Sequence, residues 1–111
     1  MAEPTIDVTE LLTKTGFTRA LFDVAMERMR QVKDKGWTPE HDDAEHDVET
    51  LASAAMAFAQ SSFSEPDEDA EEIEFWWPFE GPLKRKGPRQ DLVRAGAMIQ
   101  AAIEFIDRAA G

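Results

Sequence analysis

The sequence predicts an all-α domain: a small bundle of three long helices with a short helix in front, completed by a second copy of the chain. Three observations carry that prediction. Apolar residues recur at spacings of three and four along three long stretches. No stretch keeps a two-residue alternation, so no strand is expected. Helix start and stop residues stand at the ends of the periodic stretches. At 111 residues the chain has the length of one domain with one modest core, so residues 1–111 are read as a single unit.

The short helix is expected over Val8 to Thr15, with Asp7 as its cap, Gly16 as its stop, and Val8, Leu11 and Leu12 on one face. It reads as an arm that packs on the body or on another subunit. Thr18 caps the next helix, which runs to about Lys35 with Leu21, Phe22, Ala25, Met29 and Val32 in step, and Gly36 ends it. Thr38-Pro39-Glu40 is a further start signal. The third stretch begins near Asp42 or Asp43, with Glu45 placed as in a capping box, and continues through Val48, Leu51, Ala52, Ala55, Phe58 and Ala59. Its many alanines permit close helix contact and predict a central position.

Residues 61–89 form a long connection holding four of the six prolines. Its acidic half is expected to be mobile. Its aromatic half, with Phe75, Trp76, Trp77 and Phe79, is expected to dock, because aromatic side chains bury well. The last helix spans roughly Gln90 to Ala109, with Leu92, Ala95, Gly96, Ile99, Ala102, Ile103 and Ile106 as its stripe.

Charge and composition narrow the function classes. The net charge is −11, and seven acids fall between Glu65 and Glu74 with no base among them. Direct binding to a nucleic-acid backbone needs a basic face and is disfavoured. With no cysteine, a metal would have to be held by carboxylate, imidazole, carbonyl or water, which favours Mg²⁺ or Mn²⁺. No apolar run approaches the ~20 residues of a bilayer crossing, and Met1 to Thr15 lacks the pattern of a signal peptide. A cytoplasmic protein is expected.

Carboxylates stand out on the first two long helices. Glu27 and Gln31 lie one turn apart, as do Glu45 and Glu49, and His46 shares the face of Glu49. A short turn between the helices predicts antiparallel neighbours, which would bring Glu27 toward Glu49 in a cluster that needs a cation. The plainer alternative is that these are solvated helix faces, with His41-Asp42-Asp43 no more than capping chemistry. Trp76 and Trp77 stack on a base or, the favoured reading, anchor the long connection. Lys84, Arg85, Lys86 and Arg89 meet phosphates or form a solvated basic run.

The strings Glu27-Arg28-x-x-Gln31, Gly36-Trp37-Thr38-Pro39-Glu40-His41-Asp42-Asp43, Trp77-Pro78 and Asp91-Leu92-Val93-Arg94-Ala95-Gly96-Ala97 resemble a group of small phage and prophage all-α proteins. The helical pattern is in turn similar to the MazG-like nucleoside triphosphate pyrophosphohydrolases. That resemblance implies Mg²⁺ held by helix-borne carboxylates and cleavage of a nucleoside triphosphate to monophosphate and pyrophosphate. It differs from the superfamily's Glu-Glu-x-x-Glu and Glu-x-x-Asp motifs, with Glu45-x-x-x-Glu49 in place of the first. The resemblance implies Glu27, Glu45, Glu49 and Asp91 as metal ligands, with Glu104 as a further candidate, and His46 with Glu49 as catalytic groups. Gln31, Trp37, His41, Trp77, Lys84 and Arg89 are the candidate substrate contacts. Two other readings stand beside the enzyme: a nucleotide- or protein-binding helical oligomer without turnover, and an acidic mimic of DNA built on the Glu65 to Glu74 stretch.

Overall fold

The computed structural model describes residues 18–36, 38, 40, 47–65 and 68–111. They form four helices and no strand: α1 (Arg19–Asp34), α2 (Val48–Phe63), α3 (Ala70–Trp76) and α4 (Pro88–Ala109). The expected helix at Val8 to Thr15 lies outside the described residues.

α1 starts and stops as its sequence dictates. Thr18 is extended, and its hydroxyl accepts the Leu21 N–H at 3.2 Å, satisfying one of the first-turn donors. Gly36 follows the helix at φ +69°, a left-handed conformation that glycine adopts without steric cost. α2 begins later than expected. Asp47 is extended, and its carboxylate accepts the Thr50 N–H at 2.8 Å, so the helix is capped there and not near Asp42 or Asp43. The proposed capping box of Asp42 and Glu45 lies outside the described residues.

α3 occupies the segment expected to be a connection. Ile73 is its one buried residue, and Glu71 and Glu72 sit in its first turn, where the exposed N–H groups favour negative charge. A seven-residue helix is marginal alone. This one is held to α2 by side-chain bonds: Ser53 to the Trp76 carbonyl, and Gln60 to Glu72 at 2.5 Å. The expected docking of the aromatic half is observed for Trp77 and Phe79, which pack against the core, but not for Phe75, which is 77% exposed. Trp77 packs edge-on against Phe58 and Phe79, each at 5.1 Å between ring centres, and its indole N–H donates to the Gly81 carbonyl at 3.1 Å.

α4 is the hub, packing against both α1 and α2. Gly87 at φ +112° and Pro88 open it, the pairing of a free backbone with a ring already at helical φ. The core between α2 and α4 is Leu51, Ala54, Ala55, Phe58, Ala95, Met98, Ala101 and Ala102. Small residues on both sides let the axes approach, as the alanine content of α2 predicts.

Two expectations need correction. α1 and α2 share no contact among the described residues; the segment joining them is too long for a tight antiparallel pair, and α4 takes the place between them. The apolar stripe expected on α4 is also only partly its core face. Ala95 and Ala102 are buried, but Leu92, Ile99, Ile103 and Ile106 are about half exposed. The face that enters the core carries Asp91, Arg94 and Met98 instead.

Candidate functional site

Among the described residues six polar or charged ones are buried: Arg28, Gln31, Ser61, Ser62, Asp91 and Arg94. Four of them come from the strings Glu27-Arg28-x-x-Gln31 and Asp91-Leu92-Val93-Arg94. Burial of such groups is tolerated when they are bonded to one another, and most of them are.

One network lies between α2, α4 and the segment before α4. Asp91, 0% exposed, accepts from Arg94 and from the Lys86 N–H at 3.0 Å on one oxygen, and from the Ser61 hydroxyl at 2.7 Å on the other. Burial alone would raise its carboxyl, but the bonds from Arg94, Ser61 and Lys86 outweigh that and hold it below the ordinary aspartate value. Arg94 also donates to the Lys84 carbonyl at 2.6 Å and lies 4.3 Å over the Phe58 ring. Arg85 donates to the carbonyls of Ser61, Ser64 and Glu65 and to the Ser61 hydroxyl. It thereby satisfies carbonyls that the end of α2 leaves open.

The second cluster lies between α1 and α4. Arg30 grips Glu27 with two nitrogens at 2.8 and 2.7 Å, and the Gln31 amide donates to the same carboxylate at 3.3 Å. Burial pushes Glu27 up, while Arg30, Gln31 and the nearby charge of Arg94 pull it down, and the net result is a lowered pKa. Arg28 donates to Glu104 at 2.9 Å and Arg89 pairs with Asp23 at 2.8 Å. Beside this cluster is an open groove of about 530 Å³, walled by Asp23, Met26, Glu27, Arg30, Arg89, Gln90 and Val93. Among the described residues two buried polar side-chain atoms have no hydrogen-bond partner: the side-chain oxygen of Gln31, whose residue is 1% exposed, and Nε of Arg94.

Comparison with known protein families, curated proteins and solved structures finds no match. The site therefore rests on its own geometry.

That geometry unites some of the sequence candidates and separates others. Glu27 and Arg89 wall the α1–α4 groove, Gln31 bonds Glu27, and Asp91 belongs to the separate Arg94 network. Glu49 is exposed in the first turn of α2, whereas Asp91 bonds Ser61 near the other end of that helix. Twelve residues of helix separate Glu49 from Ser61, about 18 Å at 1.5 Å per residue, so Glu49 and Asp91 do not share one ion. Trp37, His41, Glu45 and His46 lie outside the described residues. Trp77 forms part of a different cleft of about 680 Å³, with Ile73, Phe79 and Leu83. The Lys84 carbonyl belongs to the Arg94 network, but its side chain is exposed. No group of three or more metal-binding side chains converges among the described residues.

Sequence reasoning missed Asp23, Arg30 and Arg94. Asp23 stands four residues before Glu27, a spacing that already places them on one face. Arg94 was legible only as part of the Asp-Leu-Val-Arg string, because a charged residue does not register in an apolar stripe.

Proposed function

We propose that the chain binds a nucleoside triphosphate with a divalent cation in the α1–α4 groove and hydrolyses it to the monophosphate and pyrophosphate. The observation that carries this reading is the pairing at the groove of two carboxylates one turn apart, Asp23 and Glu27, with two arginines, Arg89 and Arg30. Mg²⁺ is commonly held by one or two carboxylates plus the phosphates of the substrate, so two are sufficient. Each carboxylate is neutralised by its arginine in the free protein. A metal–nucleotide complex offers each group a new partner, the cation for the carboxylates and the phosphates for the guanidinium groups.

Within this reading Asp23 and Glu27 hold the cation, Arg30 and Arg89 orient the phosphates, and Gln31 steadies Glu27 from behind. The bound cation neutralises the triphosphate and the charge that develops on the leaving pyrophosphate. The lowered pKa of Glu27 keeps it ionised and ready as a ligand at neutral pH. The resemblance to MazG-like pyrophosphohydrolases agrees in cofactor and reaction, with Glu27 as the shared ligand. The reading includes a homodimer with one groove per copy.

The test is incubation of the purified protein with each common ribo- and deoxyribonucleoside triphosphate and Mg²⁺ or Mn²⁺, following monophosphate and pyrophosphate. Glu27→Gln and Asp23→Asn should each lower turnover about a hundredfold or more. Absence of both products with every nucleotide and both metals sinks the hydrolase.

A second reading, binding without turnover, is favoured by the ion pairs that already occupy both carboxylates. Nucleotide binding by calorimetry with no product after long incubation selects it.

A further inference from the structure

We infer that the chain pairs with a second copy of itself through one apolar face made by α4 and α1. This deepens the homodimer in the reading above and is independent of its chemistry.

α4 has three distinct faces. One, with Asp91, Arg94, Ala95, Met98, Ala101 and Ala102, enters the core with α2. A second meets α1: a Cβ at Gly96 would stand 3.1 Å from Val24, and Glu104 receives Arg28. The third carries Leu92, Ile99, Ile103 and Ile106, 50–55% exposed. Their spacing runs seven, four, three, which is the seam repeat of a packed helix pair and not that of a solvated surface. A helix that is apolar or tightly packed on every face is a buried helix.

α1 extends this surface. Contacts advance along α1 and α4 in the same direction, from Asp23 with Arg89 to Arg28 with Glu104, so the two helices run parallel. With Val24, Arg28 and Gln31 directed at α4, the helical period places Leu21 and Met29 on the flank next to the aliphatic seam, with Met26 at its edge. All three are 43–48% exposed. The polar flank of α1, with Asp23, Glu27 and Arg30, looks the other way and leaves the groove open.

Two features select a second copy as the occupant. Leu21, Met29, Leu92, Ile99, Ile103 and Ile106, all about half exposed, present on the order of 600 Å² of apolar surface, at the upper end for a monomer and close to the ~800 Å² per partner of a standard interface. The surface is one patch with a regular repeat, so it can meet itself across a two-fold axis. Charge permits the approach. The acids of 68–74 are carried on and before α3, which contacts α2 and neither α1 nor α4, so the part of the −11 charge that would most repel a like molecule stays on the far side.

Sedimentation equilibrium of the full chain tests this. The wild type is expected at twice the chain mass at micromolar concentration, and Ile99→Glu/Ile103→Glu at one chain mass with its helical circular dichroism retained. Met56→Glu, at an exposed apolar residue of α2, and Glu27→Gln, in the groove, should leave the mass doubled. Because the chain has no cysteine, Ile103→Cys gives a second measurement that does not depend on breaking the dimer: a bifunctional thiol reagent should yield a covalent pair, and Met56→Cys should not. A wild type of one chain mass overturns the inference. So does a doubled mass that survives the Ile99→Glu/Ile103→Glu change, which would put the contact elsewhere. Loss of hydrolysis in Glu27→Gln with the mass unchanged separates the two proposals.

Discussion

α4 meets its two neighbours by opposite means. Against α2 it presents alanines and Met98 around a single buried ionic network, in which Asp91 spends both oxygens and Arg94, with only its Nε unpaired, fixes the preceding segment. Against α1 it presents a glycine contact, ion pairs that reach solvent, and a buried glutamine with one oxygen unpaired. The contrast teaches where stability and chemistry reside. A network buried from solvent specifies one packing and gives a ligand little access. An open one, with exchangeable ion pairs, is weaker as glue and available as a site.

The largest expected effect comes from breaking the closed network. Asp91→Ala leaves Arg94 buried without its carboxylate and removes the acceptor of Ser61, so a loss of about 3–5 kcal/mol is expected, measured by urea denaturation. The same carboxyl governs acid stability. Its folded pKa is lowered, so its contribution is fully present above the ordinary aspartate value of 3.8 and is lost as pH falls through the folded value below that. Stability should be level near neutrality and drop at the acid end, and Asp91→Asn should flatten that drop. An acid limb unchanged in Asp91→Asn would show that other carboxylates set it.

Next in size is overpacking of the dry seam. Ala54 is fully buried between α2 and α4, and Ala54→Leu should cost about 1–3 kcal/mol. On the α1 side Glu104→Gln should cost only about 1 kcal/mol, because Glu104 is partly exposed and its pairing with Arg28 is screened. Gln31→Met should lie within about 0.5 kcal/mol of wild type, since an apolar side chain of similar shape removes the unpaired oxygen together with one long bond to Glu27. If it costs more than about 2 kcal/mol, the α1 side is as tightly specified as the α2 side and the contrast fails.

The smallest effect belongs to Gly96→Ala. Alanine gains roughly 0.8–1 kcal/mol of helix propensity, but its methyl meets Val24, whose β-branched side chain turns little in a helix. A small net loss is expected, reversed in the Val24→Ala/Gly96→Ala double variant, as read from melting curves.

Much of this fold could be read from the chain. Thr18 and Gly36 bound α1, and the spacing of three and four marks the bodies of α2 and α4, because those causes are local; the starts of α2 after Asp47 and of α4 at Pro88 differ from the expected ones. What could not be read was set by longer-range contacts. α3 exists because Ser53 and Gln60, on another helix, bind its backbone and side chain, and nothing within the acidic run announces this. The order of helices around α4 was misjudged because chain connectivity was taken as adjacency. For the site, Glu27, Gln31 and Asp91 were legible as polar residues in distinctive strings, and Arg89 as part of a basic run. Their division between two networks was not, since it depends on which side of α4 each one faces.

The reach of Arg85 back to the last carbonyls of α2 has a consequence for how the molecule opens. The stretch from Lys84 to Lys86 and the final turn of α2 are fastened to each other and, through Ser61, to the start of α4. These pieces must come apart in one event, so their slowest amide protons should exchange together and not piecemeal. Extra residues spliced between Arg85 and Gly87 would pull the brace from its anchor, so this part of the connection should tolerate no growth.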